Sequence, residues 1–139
     1  MAFAITGQLS GGYLGDRVNK RLVIFAAMWM HAVAMLVLAY AESVAGAVVF
    51  TALHGMAWGV RGTLLSTIRA DYFGRRSYAT ISGYSSLVAM LGMTAGPLFS
   101  GAMFDLVGDY RSAFVVLAGM AALGSAAALL ARKPSLVLR

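Results

Sequence analysis

Four apolar stretches, each long enough to cross a lipid bilayer, take up most of this chain: residues 22–41, 44–68, 78–104 and 112–131. A spanning helix needs about 20 predominantly apolar residues. Extended strands are excluded for these stretches, because unpaired backbone inside lipid is too costly, whereas a helix pairs its own amides. Charge content agrees: 12% of the residues are charged, against about 25% in soluble domains. The expected fold is all-α, a polytopic transmembrane helix bundle forming one domain over residues 1–139, with a tail at 132–139. Residues 1–14 are apolar but too short to span, and read as the last part of a helix that begins outside this sequence.

The net charge of +6 could suit nucleic acid, but the cations fall in short clusters between apolar stretches. Membrane orientation accounts for them better, so the partner expected is the lipid bilayer and no nucleic acid. Placing the first basic cluster in the cytoplasm puts Arg17, Lys20, Arg21, Arg69, Arg75, Arg76, Arg132, Lys133 and Arg139 on that side, and Arg111 alone on the other. That asymmetry follows the positive-inside rule. It predicts that the basic loops and the C-terminus are cytoplasmic. No cysteine is present, which removes disulfides and thiolate metal sites; no metal and no cofactor are expected.

The stretch Gly12-Tyr13-Leu14-Gly15-Asp16-Arg17-Val18-Asn19-Lys20-Arg21 reads as a tight, polar, cationic turn between two apolar segments. It resembles the loop signature of the major facilitator superfamily, with Gly12, Leu14, Asp16, Arg17, Lys20 and Arg21 in place. Asn19 stands where glycine is usual, and asparagine also tolerates a left-handed backbone. Further on, Gly92-x-x-x-Gly96-Pro97-x-x-x-Gly101, then Asp105-x-x-Gly108-x-Tyr110 and Phe114, resembles that family's eleventh helix and the turn after it. Asp71-Tyr72-Phe73-Gly74-Arg75-Arg76 resembles its loop between helices ten and eleven, notably in the monocarboxylate and oxalate–formate branch.

This resemblance covers nearly the whole chain. It implies part of helix eight followed by helices nine to twelve, about four full spans plus a truncated first helix; the other register is helices two to six. Facilitators are built from two six-helix halves around a midplane site. The resemblance therefore implies the C-terminal part of a secondary active transporter in a plasma or inner membrane. Its missing N-terminal half becomes a partner, and a small-molecule substrate moves by alternating access. In the family the aspartate of the loop is associated with closing the cytoplasmic side, making Gly12, Asp16, Arg17, Lys20 and Arg21 the gating loop. With the other half absent, Asp16 is expected to contact only local cations, such as Arg17 or those near Arg75.

The stretch at 44–68 holds the candidate binding residues. Arg61 lies eight residues before Arg69, about 12 Å along a helix, well inside a bilayer core of about 30 Å. An ionised side chain at that depth is costly and marks a substrate or ion path by default. His54 is seven residues earlier on the same face, with Trp58 between them. Together they form a cationic patch with an aromatic wall, suited to a carboxylate or another small organic anion. A structural arginine paired on a neighbouring helix is the other reading. His31, alone on the preceding stretch, reads as a packing or lipid-interface residue.

Small residues four apart, Gly55 and Gly59 as well as Gly92 and Gly96 with Pro97 and Gly101, suit close helix packing; Gly119 and Gly124 do the same on the last stretch. Enzyme chemistry has no support, since Asp16, Glu42, Asp71, Asp105 and Asp109 all fall at helix ends without paired-acid or ligand spacing. The alternative function is a small four-helix exporter, or a non-transporting membrane subunit, acting as an oligomer. Such an exporter would carry an acidic coupling residue within a span, and this chain has none.

Overall fold

The computed structural model describes residues 1–131, which form helices α1 (Ala2–Arg17), α2 (Lys20–Ala39), α3 (Val44–Val107) and α4 (Arg111–Leu130). The tail, with Arg132, Lys133 and Arg139, lies outside the described residues. The helical bundle expected from the apolar stretches is what forms. Helices α2, α3 and α4 are each long and apolar enough to cross a membrane.

Helix α3 has 64 residues, about 96 Å at the helical rise, enough to cross a ~30 Å core twice. It breaks at Gly74, where φ is 65° and ψ is 177°, a backbone region open essentially to glycine alone. The two arms, 44–73 and 75–107, fold back on each other. Arg69 shares a cavity wall with Ser85 and Ser86, and Arg61 shares the same wall with Met93. Stepping back along one arm while stepping forward along the other is the register of an antiparallel hairpin.

The polar turns are shorter than the sequence suggests. Helix α1 runs through Gly12, Gly15 and Asp16 to Arg17, and only Val18 and Asn19 leave the helix. The Val18 amide still donates to the Leu14 carbonyl at 2.8 Å. Asn19 is not left-handed, with φ −57°. It caps α2 instead, its side-chain oxygen accepting from the Arg21 amide at 3.0 Å, as asparagine does at helix starts. Likewise, Arg69 to Phe73 stay helical where a loop was expected, and the break is Gly74. Polar residues outside lipid do not oppose a helix, so each helix continues until a residue that favours another backbone conformation. At the far end Gly108, φ 82°, closes α3 with its amide on the Phe104 carbonyl at 2.8 Å.

Helix α2 lies between α3 and α4, and Ile24, Ala27, Val60 and Leu64 form the buried core of the α2–α3 contact. Helix α1 packs on α3 through glycines. A Cβ on Gly7 would collide with the Met56 carbonyl, one on Gly59 with the Ala4 carbonyl, and one on Gly11 would lie 2.8 Å from the Val60 Cα. The close approach predicted for Gly55 and Gly59 is therefore made. That predicted for Gly92, Gly96 and Gly101 is not: among the described residues a Cβ on any of the three meets nothing within 4 Å, and Pro97 is exposed. The second arm of α3 presents these residues to open space, with Tyr84, Leu87, Val88 and Leu98 also exposed. Gly119 is open too, and Gly124 makes only an ordinary 3.7 Å contact with Met28.

Candidate functional site

The first arm of α3 carries Phe50, His54, Trp58 and Arg61 at spacings of four, four and three, which line up along one helix face. The rings follow one another: Phe50 and His54 have centroids 5.1 Å apart, and His54 and Trp58 stack at 6.3 Å. The Arg61 guanidinium then lies over the Trp58 ring, 4.8 Å from its centroid. His54, Trp58 and Arg61, brought together in sequence by helical spacing, are brought together in space.

Arg61 is half-buried, and its Nε is buried without a hydrogen-bond partner. It forms no ion pair among the described residues. A half-buried cation over an aromatic face, with no ion pair among the described residues, retains its capacity to bind an anion, and its planar fork can hold a carboxylate through two parallel bonds.

His31 belongs to this site, against the sequence reading of it as a packing residue. It is 7% exposed, and its Nδ1 lies 3.2 Å from the Nδ1 of His54. Its ring also meets Trp58 edge-on, with centroids 6.5 Å apart. Helix α2 thus inserts an imidazole into the aromatic row of α3. A cavity of about 310 Å³ opens beside the pair, lined by His31, His54 and Arg61 together with Met28, Met35, Met93, Gly92, Gly96, Leu117 and Ala121. Gly92 and Gly96 thus shape a cavity wall rather than a helix contact. Met28, Met35 and Met93 supply an adaptable apolar lining.

The loop residues have different partners from those expected. Asp16 is exposed and makes no ion pair among the described residues. The guanidinium of Arg17 lies over the Tyr13 ring at 4.3 Å. The ionic contact runs instead from Lys20 Nζ to Asp71 Oδ2 at 2.5 Å, and Arg21 donates to the Ala131 carbonyl at 2.9 Å. The first turn of α2 is thereby tied both to the hairpin end of α3 and to the end of α4. At the opposite end, Arg111 lies over the Tyr40 ring at 4.7 Å and faces Glu42 at 3.9 Å. Both basic turns therefore share one end of the bundle, and the Glu42 and Asp109 turns share the other.

The family model of the Major Facilitator Superfamily matches residues 1–137. The chain is similar to multidrug resistance protein D of Escherichia coli K12, 26% identical over 110 residues, which cover 79% of this chain and 28% of that protein. It is also similar to monocarboxylate transporter 13 of Bos taurus, 24% identical over 123 residues, covering 87% of this chain and 29% of the relative. The chain thus spans less than a third of either relative. No solved structure matches it. With a family model covering nearly every residue and a bundle of apolar helices in agreement, the chain is an integral membrane protein that belongs to the major facilitator superfamily.

Proposed function

We propose that this chain forms part of a secondary transporter that moves a small organic anion by alternating access, with Arg61 as the anion-binding residue. The observation that carries this reading is the guanidinium of Arg61, half-buried beside a cavity within the helical bundle, with a partnerless Nε. Among the described residues no carboxylate balances it. His54 and Trp58 complete the binding wall. One relative is named for monocarboxylates and the other for multidrug resistance. The fixed positive charge favours an anion and, with it, the monocarboxylate and oxalate–formate branch.

The matched stretch is under a third of each relative, so the working unit is read as this chain together with the remaining helices of a two-half transporter. The basic turns face the cytoplasm, following the positive-inside rule. Gly12, Asp16, Arg17, Lys20 and Arg21 act there as the gating segment toward the other half. An unpaired Asp16 leaves its carboxylate free to meet a helix N-terminus, which favours negative charge by about 0.3–1 kcal/mol.

Counterflow of labelled lactate or oxalate in proteoliposomes, with the assembled transporter, tests the reading. Arg61→Lys keeps the charge but loses the fork and should slow exchange; Arg61→Gln should slow it further. Undiminished exchange by Arg61→Gln at normal expression would show this arginine to be structural.

A further inference from the structure

Helices α2 and α4, with the turns that join them to α3, form two adjoining hollows apart from the Arg61 site. The first is a cavity of about 450 Å³ at the end away from the basic turns. There Tyr40 and Glu42 of one turn meet Asp109, Tyr110 and Arg111 of the other, with Phe114 below them. The second is an apolar groove of about 230 Å³, lined by Trp29, Val33 and Leu36 of α2 and by Val115, Ala118 and Gly119 of α4. The two are consecutive, because the groove ends at Leu36 and Val115 and the cavity begins at Leu38 and Phe114. Trp29, Val33 and Leu36 are exposed, so the groove opens outward. Gly119 leaves part of it empty, since a Cβ there meets nothing within 4 Å.

Helix length sets the depth of each hollow. Helix α2 has 20 residues, about 30 Å at the helical rise, the thickness of a hydrocarbon core. Its Tyr40 end therefore falls at headgroup level, where tyrosines gather, and the groove falls among acyl chains. A charged cavity at headgroup level that continues into an apolar groove has the outline of a phospholipid.

The charges specify the headgroup. The Arg111 guanidinium rests over the Tyr40 ring at 4.7 Å, and its Nη2 stays 3.9 Å from Glu42 Oε1, beyond hydrogen-bond reach. Its N–H groups are left for a phosphate, which a guanidinium grips well. Asp109 accepts from the Ser112 amide with Oδ1 at 3.3 Å, which leaves Oδ2. Two carboxylates beside one cation repel a headgroup of net negative charge and favour one that adds an ammonium to the phosphate. Tyr110 stacks with Phe104 at 4.6 Å and with Phe114 at 6.1 Å, so the ring faces are engaged by Arg111 or by one another. The carboxylates are then the partners for the ammonium. A primary ammonium brings three N–H donors to them; a quaternary one brings none and relies on open aromatic faces.

We propose that the α2–α4 face binds one phospholipid with a phosphoethanolamine headgroup, taken from the leaflet at the end away from the basic turns. The headgroup sits in the cavity, its phosphate on Arg111 and its ammonium on Glu42 and Asp109, and an acyl chain lies along the groove. This site stands whether or not Arg61 binds an anion.

Native mass spectrometry of the transporter in mild detergent tests this, with dioleoyl phosphatidylethanolamine, phosphatidylcholine or phosphatidylglycerol added. The first phosphatidylethanolamine should be held about 2- to 5-fold more tightly than phosphatidylcholine, the affinity equivalent of an exposed ion pair. Glu42→Gln, at a side chain 88% exposed, should remove that preference without disturbing the fold, and Arg111→Gln should weaken all three lipids. Gly119→Leu should fill the groove and release the lipid. Equal retention of the three lipids by wild type, or an unchanged preference in Glu42→Gln, would overturn the proposal. A Gly119→Leu protein that melts like wild type yet keeps the lipid would overturn it too. So would displacement by soluble glycerophosphoethanolamine at the lipid's own concentration, which would make the ligand a zwitterion from water.

Discussion

Gly11 of α1 sits so close to Val60 of α3 that a Cβ on the glycine would lie 2.8 Å from the Val60 Cα. No rotamer change relieves a clash with backbone. Gly7 and Gly59 meet backbone carbonyls in the same contact, so the two helices touch main chain to main chain. Gly59→Ala and Gly11→Ala should each destabilise the fold by about 1–3 kcal/mol, the usual cost of overpacking. Gly119 is equally a helix glycine but meets nothing within 4 Å. Gly119→Ala should be neutral, or stabilising by up to about 1 kcal/mol through helix propensity. Thermal denaturation in mild detergent reads both. Equal effects at Gly59 and Gly119 would show that α1 does not pack on α3 in this way.

Gly74 and Gly108 both have positive φ, yet they should respond differently to asparagine. Gly108, at φ 82° and ψ 2°, lies in the left-handed helical region, where asparagine is tolerated. Gly74, at φ 65° and ψ 177°, does not, and a side chain there is strained by about 1–3 kcal/mol. Gly108→Asn should leave the melting temperature nearly unchanged. Gly74→Asn should lower it, or drive α3 to run straight and separate its arms. The same melting experiment checks this, and an unaffected Gly74→Asn protein would count against the sharp reversal.

Much of this architecture is legible in the residues because lipid imposes one solution on long apolar stretches. The all-helical architecture and the alternation of basic and non-basic ends follow from apolar length and charge alone. Turn lengths are not legible, since Asp16, Arg17, Arg69 and Asp71 are polar without being helix breakers, whereas Gly74 and Gly108 take positive φ where a helix is interrupted or closed. Among glycines, spacing alone cannot tell Gly55 and Gly59, which meet α1, from Gly92 and Gly96, which face a cavity. Which helix lies opposite is a tertiary fact. His31 carried a signal that went unused. It lies eleven residues before Glu42, and His54 lies eleven after Ser43. Two residues equidistant from a tight reversal share a depth in the membrane.

Lys20 and Asp71 make the ion pair that joins α2 to the hairpin end of α3. Both side chains are partly exposed, at 28% and 47%, so the pair itself should contribute at most about 1 kcal/mol. Asp71→Asn should therefore barely move the melting temperature. Proximity is the sharper test. The chain has no cysteine, so Lys20→Cys with Asp71→Cys creates one unique thiol pair, and a short bifunctional thiol reagent should cross-link it within one chain. Lys20→Cys paired with Asp109→Cys, whose sites lie at opposite ends of the bundle, should not cross-link.

Orientation in the membrane has its own check. Reporter fusions after Arg76 and after Arg139 should report the cytoplasm, and one after Asp109 the opposite side. That pattern follows from the positive-inside rule and from the shared end of the two basic turns. A reversed pattern would place the Lys20–Asp71 contact outside and remove the gating role proposed for that end.

Trp58 should matter to the anion site although it need not touch the anion. Its ring lies under the Arg61 guanidinium at 4.8 Å and beside His54 at 6.3 Å. A cation over an indole face gains about 0.5–2 kcal/mol, more when water is excluded, and less over phenylalanine. Because the Arg61 Nε has no hydrogen-bond partner, this ring is the main restraint on where the guanidinium points. Removing it frees the fork and adds an ordering cost to every binding event. Trp58→Ala should weaken lactate binding roughly 2- to 30-fold, the same range converted to affinity, with Trp58→Phe intermediate. The Arg61→Gln background separates this from a packing defect: once the guanidinium is gone, Trp58→Ala should have little further effect on affinity. If the two substitutions instead weaken binding additively, Trp58 acts on the anion by itself, and its role as the support of Arg61 is wrong.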